Sequence, residues 1–314
     1  MANSLIITGF VDRAKRRALN NKCILSIYFH KPSKAEFEAS LRWLKKNEFQ
    51  FLSTTDIEKI IKKDIPFPKG GVLITVDDGW QSNEDNVVEI AQQYRVPVTI
   101  FVSTAPVEEG AYWWSYLPKA KQNGLKYSSK KILKTLPNEK RLLQVDAIKK
   151  EVIIEREAMT VDQVKKASQA KYVTIGSHTH THPILTKCSE KQVYDEMIIS
   201  RKKLETWIGK EVPYFAYTNG DYGKREVEIL KTLNYRLAFS TYPGYLTPAM
   251  LKEKYGLPRF LFLEGVSFAE NICRMVGIWQ PLMQKIKNSI SFWKFKSKKG
   301  RNTSSTISSP FSSN

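Results

Sequence analysis

Cysteine is scarce here, with 3 in 314 residues: Cys23, Cys188 and Cys273, dispersed and odd in number. That spacing excludes a disulfide framework and any Cys-x-x-Cys redox or metal motif. No apolar run reaches the roughly 18 residues that a transmembrane helix needs. No secretory leader is expected either. Leu5-Ile6-Ile7 is too short for its apolar region, and the charged run Asp12-Arg13-Ala14-Lys15-Arg16-Arg17 follows at once. The expectation is a cytoplasmic protein, at most peripheral at the inner face of the membrane. Acidic residues are outnumbered 31 to 50 by Lys and Arg, for a formal net charge of +19, and none occurs after Glu270. Such a balance suits nucleic acid, an anionic membrane or an acidic glycan. The lysines are spread over helix-like stretches and no DNA- or RNA-binding module is recognisable, so no nucleic-acid partner is expected. Histidine numbers only 4, and none lies beyond His182.

What the chain does have is an alternation of short apolar runs with amphipathic stretches. Residues 34–47 carry Phe37, Leu41 and Leu44 at helical spacing, with Ser33 as N-cap. Residues 55–63 and 86–93 read as helices, and residues 96–102 as a strand. Further helices are expected over 161–170, 189–208 and 225–233, with strands at 214–217 and 237–240. Strand–helix–strand alternation means an α/β fold with parallel strands. The length and a hydrophobic content of 42% suit one substantial core.

Two segments carry the chemistry. Gly71-Val72-Leu73-Ile74 runs into Thr75-Val76-Asp77-Asp78-Gly79, and Tyr172-Val173-Thr174-Ile175 leads to Ser177-His178-Thr179-His180-Thr181-His182-Pro183. Each apolar run reads as a buried strand, so both polar clusters sit at strand C-termini, the active face of an α/β barrel. One carboxylate and two imidazoles form a common catalytic zinc set with a position left open. Strand alternation points Asp77 and Asp78 in different directions. We assign Asp78 to the metal and Asp77 to proton abstraction. Asp-Asp-Gly alone also reads as a simple turn; three of the four histidines falling in one segment argue for the site. If the chain turns helically near Pro183, His178 and His182 share a face and His180 points away.

These residues carry a family resemblance. Thr75–Gly79 resembles the T-F-D-D-G motif, and Ser177–Pro183 the S-H-T-x-x-H-P motif, of the polysaccharide deacetylases (NodB homology, carbohydrate esterase 4). Phe215-Ala216-Tyr217-Thr218-Asn219-Gly220 resembles the third motif and Leu257-Pro258-Arg259 a late L-P-R motif, so the resemblance spans roughly residues 22–265. It implies a distorted (β/α)7-type barrel. It implies Asp77 as base and Asp78, His178 and His182 as ligands of Zn²⁺ or another divalent first-row metal. An oxyanion-holding backbone N–H would come from Asn219 or its neighbour, with Tyr217 beside it. The reaction implied is hydrolysis of an acetyl group, usually an N-acetyl on a hexosamine glycan.

Two departures stand out. Ala216 replaces an arginine common in the third motif, and Thr218 replaces a proline. Arg259 is the candidate to hold Asp77 instead. The family's late L-x-H motif, the source of the acid for the leaving amine, is absent. His30, at the end of Ile24–Phe29, resembles the first-strand histidine of the circularly permuted poly-N-acetylglucosamine deacetylases, although Phe29 intervenes between Tyr28 and His30. It is either that general acid or an ordinary strand-end residue.

The organisation expected is a basic lead-in over 1–21, a catalytic domain over 22–268, a basic amphipathic helix over 269–301 and a disordered tail over 302–314. A helical insertion over 106–158 interrupts the domain. It opens on Tyr112-Trp113-Trp114, and Trp113 and Trp114 either stack on sugar rings or pack the insertion onto the barrel. The C-terminal helix either lies on an anionic membrane or docks on the barrel. The substrate expected is an N-acetylated glycan or a lipid-linked sugar. The alternatives are a soluble non-glycan amide, or an inactive glycan- or membrane-binding protein.

Overall fold

The computed structural model describes residues 1–286. Eight strands form one sheet: β1 Leu25–Phe29, β2 Gln50–Leu52, β3 Gly71–Val76, β4 Val98–Val102, β5 Val173–Ser177, β6 Tyr214–Ala216, β7 Leu237–Phe239 and β8 Phe260–Leu261. Their order is β7-β6-β5-β4-β3-β1-β8, with β2 paired to the first half of β3, and every pairing between strands is parallel. A parallel bridge from Phe239 to Leu257, just before β8, brings the two ends of that order together. The result is a curled, barrel-like α/β fold with seven strands in its circuit, as the alternation of runs implies.

Period-two alternation explains where the chemistry sits. On β3, Val72, Ile74 and Val76 join the cluster formed with Leu25, Ile27 and Phe29 and with helix residues Phe37 and Leu41. Leu73 belongs to a second cluster with Phe101, Ala216 and Phe239 on the opposite face. Thr75 and Asp77 continue the Leu73 series, so Asp77 leaves the strand facing the inside of the curl. The helices start where the sequence carries caps. Ser33, Ser53, Thr160 and Ser189 each accept from the N3 amide in a complete capping box.

The lead-in is more than a tether. Helices Ala2–Ile7 and Phe10–Leu19 form there, and Val11, Ala14 and Ala18 are buried in the main core. The insertion carries helices Tyr116–Gln122, Lys130–Leu133 and Asn138–Glu151 around a small core of its own, with Trp113, Leu117, Val145 and Ile148. Its far end is stitched to the first motif by an antiparallel bridge from Trp80 to Ala158 and by Gln81 N–H donating to Glu157 O at 2.7 Å.

One expectation is corrected. The single helix over 269–301 does not form in its described part. Helix Phe268–Met275 ends there, Gly277 turns at φ +76°, and helical structure resumes at 279. A Cβ on Gly277 would sit 2.3 Å from the Phe260 ring, so glycine is required. Trp279, in this stretch, is 8% exposed in the main core, with Ile278 and Met283 packed against that core. The docked reading therefore holds for this part; the remainder of the stretch and the expected tail lie outside the described residues. No helix among the described residues is long and apolar enough to cross a membrane.

Truncation after Glu270 should consequently unfold the protein. It removes Ile272, Met275, Val276 and Trp279, each worth about 1.5–3 kcal/mol of burial. Their sum is comparable to a domain's whole stability of about 5–15 kcal/mol. A thermal melt of the truncated chain should show no cooperative transition near that of the full protein; an unchanged melting temperature would contradict the docked geometry.

Candidate active site

The C-terminal ends of β1, β3, β5 and β6 open into one cleft of about 350 Å³, lined by His30, Asp77, Asp78, His178, His182 and Asn219 among others. Asp78 Oδ1 lies 3.4 Å from His178 Nε2 and 3.2 Å from His182 Nε2. These three are the one group of potential metal-binding side chains among the described residues, and all three are buried. Trp80 Nε1–H donates to the other Asp78 oxygen at 3.0 Å, so the carboxylate is oriented from both sides. His178 Nδ1 meets the Ala216 carbonyl at 2.8 Å. That carbonyl can only accept, so Nδ1 carries the proton and Nε2 turns its lone pair to the shared point. The donor set, one hard carboxylate and two imidazoles, fits a divalent first-row ion.

The electrostatics agree. Burial works against ionised Asp78, but hydrogen bonds from His178 and His182 hold its carboxyl well below the usual range. His182 is pushed down to about 4, by burial first, despite Asp78. Burial lowers His178 too, yet Asp78 and the nearby Asp77 together raise it above the ordinary value. His178 feels two carboxylates and the Ala216 carbonyl, whereas His182 feels one carboxylate and the opposing charge of His178, so the two move in opposite directions.

The histidines converge by a route other than the helical turn expected. No helix forms at 178–183; Thr179 and His182 adopt left-handed backbone at φ +67° and +54°. The loop is pinned through its backbone. Ser103 Oγ donates to His178 O at 2.7 Å, and Ala105 N–H donates to His180 O at 2.9 Å. The buried Glu196 carboxylate accepts from the N–H groups of His180 and Thr181, both at 2.8 Å. His180 points away, as expected, with Nδ1 2.8 Å from Thr104 Oγ1. Such left-handed non-glycine residues cluster at functional sites, where surrounding contacts over-determine them; Asp78 at φ +77° and Asn219 at φ +58° are further cases here.

Arg259 does hold Asp77. Its Nη1 and Nη2 reach the two carboxylate oxygens at 2.7 Å each, and Nη1 also reaches Thr75 Oγ1 at 2.9 Å. Arg259 is fully buried, its guanidinium 4.5 Å from the Tyr28 ring centroid. A fork-on-fork pair uses one lone pair on each Asp77 oxygen and leaves one on each for the cleft.

The third motif forms a short turn, Thr218–Gly220. A Cβ on Gly220 would fall 1.9 Å from Thr241 Oγ1, so the turn admits only glycine there. The Tyr217 and Gly220 amides donate to Phe239 O and Tyr217 O, narrowing the candidate oxyanion donors to Thr218 and Asn219. The Thr218 hydroxyl, in place of the family's proline, donates to Pro183 O and ties this turn to the histidine loop. Tyr217 is wall: its hydroxyl donates to Tyr255 O at 2.8 Å and its ring stacks on Tyr222.

Both tryptophans are on the cleft, but their contacts differ. Trp113 is 5% exposed and its Nε1–H donates to His182 O at 3.1 Å, so it packs the insertion and steadies a site loop. Trp114 lines the cleft, edge-on to His182 with ring centroids 4.6 Å apart. His30 sits on the same cleft, edge-on to Tyr28. Its backbone N–H donates to Glu264 Oε1 at 2.9 Å. Trp80, Glu264, Ser103 and Glu196 escaped the sequence reading. Only Trp80, directly after Asp-Asp-Gly, left a signal there.

A buried carboxylate and two imidazoles lie around one point, beside a second carboxylate clamped by arginine, a donor set of the kind that could hold a metal ion for hydrolysis. The chain belongs to the polysaccharide deacetylase family, whose sequence profile matches residues 64–238. Among curated relatives, a poly-β-1,6-N-acetyl-D-glucosamine N-deacetylase of Staphylococcus aureus is 26% identical over 270 residues, 82% of this chain and 79% of the relative. A putative polysaccharide deacetylase of Bacillus subtilis, YxkH, is 23% identical over 211 residues; the match spans 67% of this chain and 59% of that relative's length. Among solved structures, the Streptococcus pyogenes deacetylase PplD in complex with acetate superposes with a TM-score of 0.59 at 20% identity, covering 81% of this chain and 98% of that one. IcaB from Ammonifex degensii gives a TM-score of 0.59 at 18% identity, covering 82% and 97%. These structural likenesses establish the fold.

Proposed function

We propose that this protein hydrolyses the acetyl group from an N-acetylated hexosamine of a glycan, releasing acetate and a free amine, with a divalent ion held by Asp78, His178 and His182. Zn²⁺ is our choice for that ion, on donor chemistry. The observation that carries the reading is the pairing, in one cleft, of that three-residue cage with an Asp77 fixed by Arg259. A bound ion would supply Lewis acidity to the acetyl carbonyl and lower the pKa of a bound water to about 7.

The protein's own residues do the rest. Asp77, its orientation locked by the guanidinium, takes the proton from the attacking water. Backbone N–H groups of the Thr218–Asn219 turn hold the developing oxyanion. His30 gives a proton to the departing nitrogen, which turns a poor leaving group into an amine. The tryptophan wall, Trp80 and Trp114, narrows the cleft around the acetyl-bearing ring. The staphylococcal relative suggests β-1,6-linked N-acetylglucosamine as the first substrate to try. Acetate release from such an oligosaccharide, lost with a chelator and restored by added Zn²⁺, tests the reading; no acetate from metal-loaded protein on any N-acetylated glycan would refute it.

His30→Ala should slow amide hydrolysis by roughly 10²–10⁴-fold, the usual range for a general acid. Loss on an acetyl ester should be smaller, because an alkoxide needs less help in leaving, and metal content should hold. Equal losses on amide and ester would assign His30 to substrate positioning.

A further inference from the structure

The cleft's charge goes unused by the chemistry above. Lys31, Lys130 and Lys134 line its mouth, the first following β1 and the other two from the insertion. Among the described residues their polar contacts are with neutral groups. Lys31 Nζ lies 4.7 Å from a Trp80 ring centroid and Lys130 Nζ 5.2 Å from a Trp114 ring centroid, while Lys134 Nζ donates to Asn219 Oδ1 at 2.7 Å. Each carboxylate on the cleft already has partners other than these lysine ammonium groups. Asp77 is held by Arg259, Asp78 by Trp80 and the histidines, and Glu264 by the N–H groups of His30 and Lys31 at 2.9 and 3.1 Å. The lysine charges are close enough to be felt: Lys130 is depressed from its ordinary value by partial burial and then by Lys134. Three ammonium groups thus face the cleft, none of them ion-paired to a carboxylate among the described residues, with only the field of Asp78 reaching Lys130.

We propose that the cleft takes an N-acetylated glycan bearing a phosphoryl group next to the sugar that is deacetylated, with Lys31, Lys130 and Lys134 around the phosphate. This deepens, and rests on, the deacetylase reading above. Phosphate fits better than carboxylate. Planar carboxylates favour the fork of arginine, but no arginine is among the residues lining the cleft, and Arg259, buried behind it, is spent on Asp77. Lysines act as point charges that suit phosphate oxygens. Lys31 and Lys130 each lie against an indole, so a sugar face and its phosphate find an apolar surface and a cation side by side.

The test compares kcat/KM for acetate release from a β-1,6-linked N-acetylglucosamine oligosaccharide with that from its 1-phosphate and 6-phosphate forms. A third arm uses an N-acetylhexosaminyl diphosphate on a short polyprenol in neutral detergent, which separates a lipid-linked source from a phosphate-bearing polymer. At low salt at least one phosphorylated form should be preferred by roughly tenfold, the sum of a few exposed ion pairs. That preference should shrink as salt screens it. In the Lys31→Gln/Lys130→Gln variant the ratio should fall toward one, mainly through KM. Equal kcat/KM on neutral and phosphorylated forms, or a preference that survives in the variant or in high salt, overturns the inference and leaves the deacetylase reading standing. No acetate from any arm overturns both.

Discussion

His178→Ala should leave a folded protein almost empty of divalent metal and without acetate release. The cage has only three protein donors, and of its two imidazoles His178 is the one held from behind, by the Ala216 carbonyl. Loss of one donor from three leaves Asp78 and His182, too few to compete with solvent for an ion. Graded controls make the result interpretable. Trp80→Phe keeps the cage but removes the hydrogen bond to the second Asp78 oxygen, and should weaken metal binding by about 10–100-fold, the usual cost of an orienting partner. His180→Ala should leave metal content unchanged, since that ring turns toward Thr104. Acid should mimic the mutation. Metal binding needs neutral imidazoles; His182, at about 4, is already neutral near pH 7, whereas His178 is raised above 6.5 and holds its proton more tightly. Affinity should therefore fall as pH drops through and below the ordinary imidazole range, with His178 as the site of proton competition. Elemental analysis across pH checks this, and full occupancy in His178→Ala would refute the cage.

The second large effect concerns the buried pair. Asp77→Asn should retain metal and lose roughly 10²–10⁴-fold or more in rate, because the amide cannot take the proton. Arg259→Met should do worse for the fold. It strands a carboxylate that is 1% exposed, and breaking a buried pair from one side costs about 3–5 kcal/mol. The double variant should be more stable than Arg259→Met alone, since neither charge is then left unpaired. A double-mutant cycle on unfolding free energy measures this coupling. Additive costs would mean that Asp77 and Arg259 do not depend on each other, against the fork-on-fork geometry. Arg259→Lys should fail to restore the wild-type rate, as an ammonium cannot reach both oxygens at once.

The sequence disclosed some of these parts and hid others, for identifiable reasons. β3 and β5 were legible because strands of a parallel sheet are buried on both faces and read as unbroken β-branched runs. The polar residues that end those runs were therefore legible as the active rim. A helix start was legible where a capping serine preceded a periodic apolar run, as at Ser33, but not at Ser129, whose helix Lys130–Leu133 lies in a charged stretch. The bend that joins His178 to His182 was not. Its left-handed residues, Thr179 and His182, are not glycines that would announce the bend, and the groups that hold it, the Ser103 hydroxyl, the Ala105 amide and the Glu196 carboxylate, come from elsewhere in the chain. The Asp77–Arg259 contact spans 182 residues of sequence, and an L-P-R tripeptide says nothing about where its arginine will point. The C-terminal segment stayed ambiguous for a related reason: an apolar face meant for the barrel and one meant for a membrane look alike until Gly277 is seen to turn the chain back. Glu264 and the rim lysines are ordinary surface letters in the sequence, and acquire meaning only from the cleft they meet.

The insertion grips the site at two places, at Trp80 through its far end and at His182 through Trp113. One of these neighbours orients Asp78 and the other is itself a cage residue. The wall that measures the sugar and the cage that would hold the ion are thus one mechanical unit. A change in this segment that admits a bulkier glycan also loosens two of the three ligands. Variation in substrate range along this lineage should therefore be found with compensating changes behind the cage, and a transplanted insertion should fail first as a metal protein and only then as a selective one.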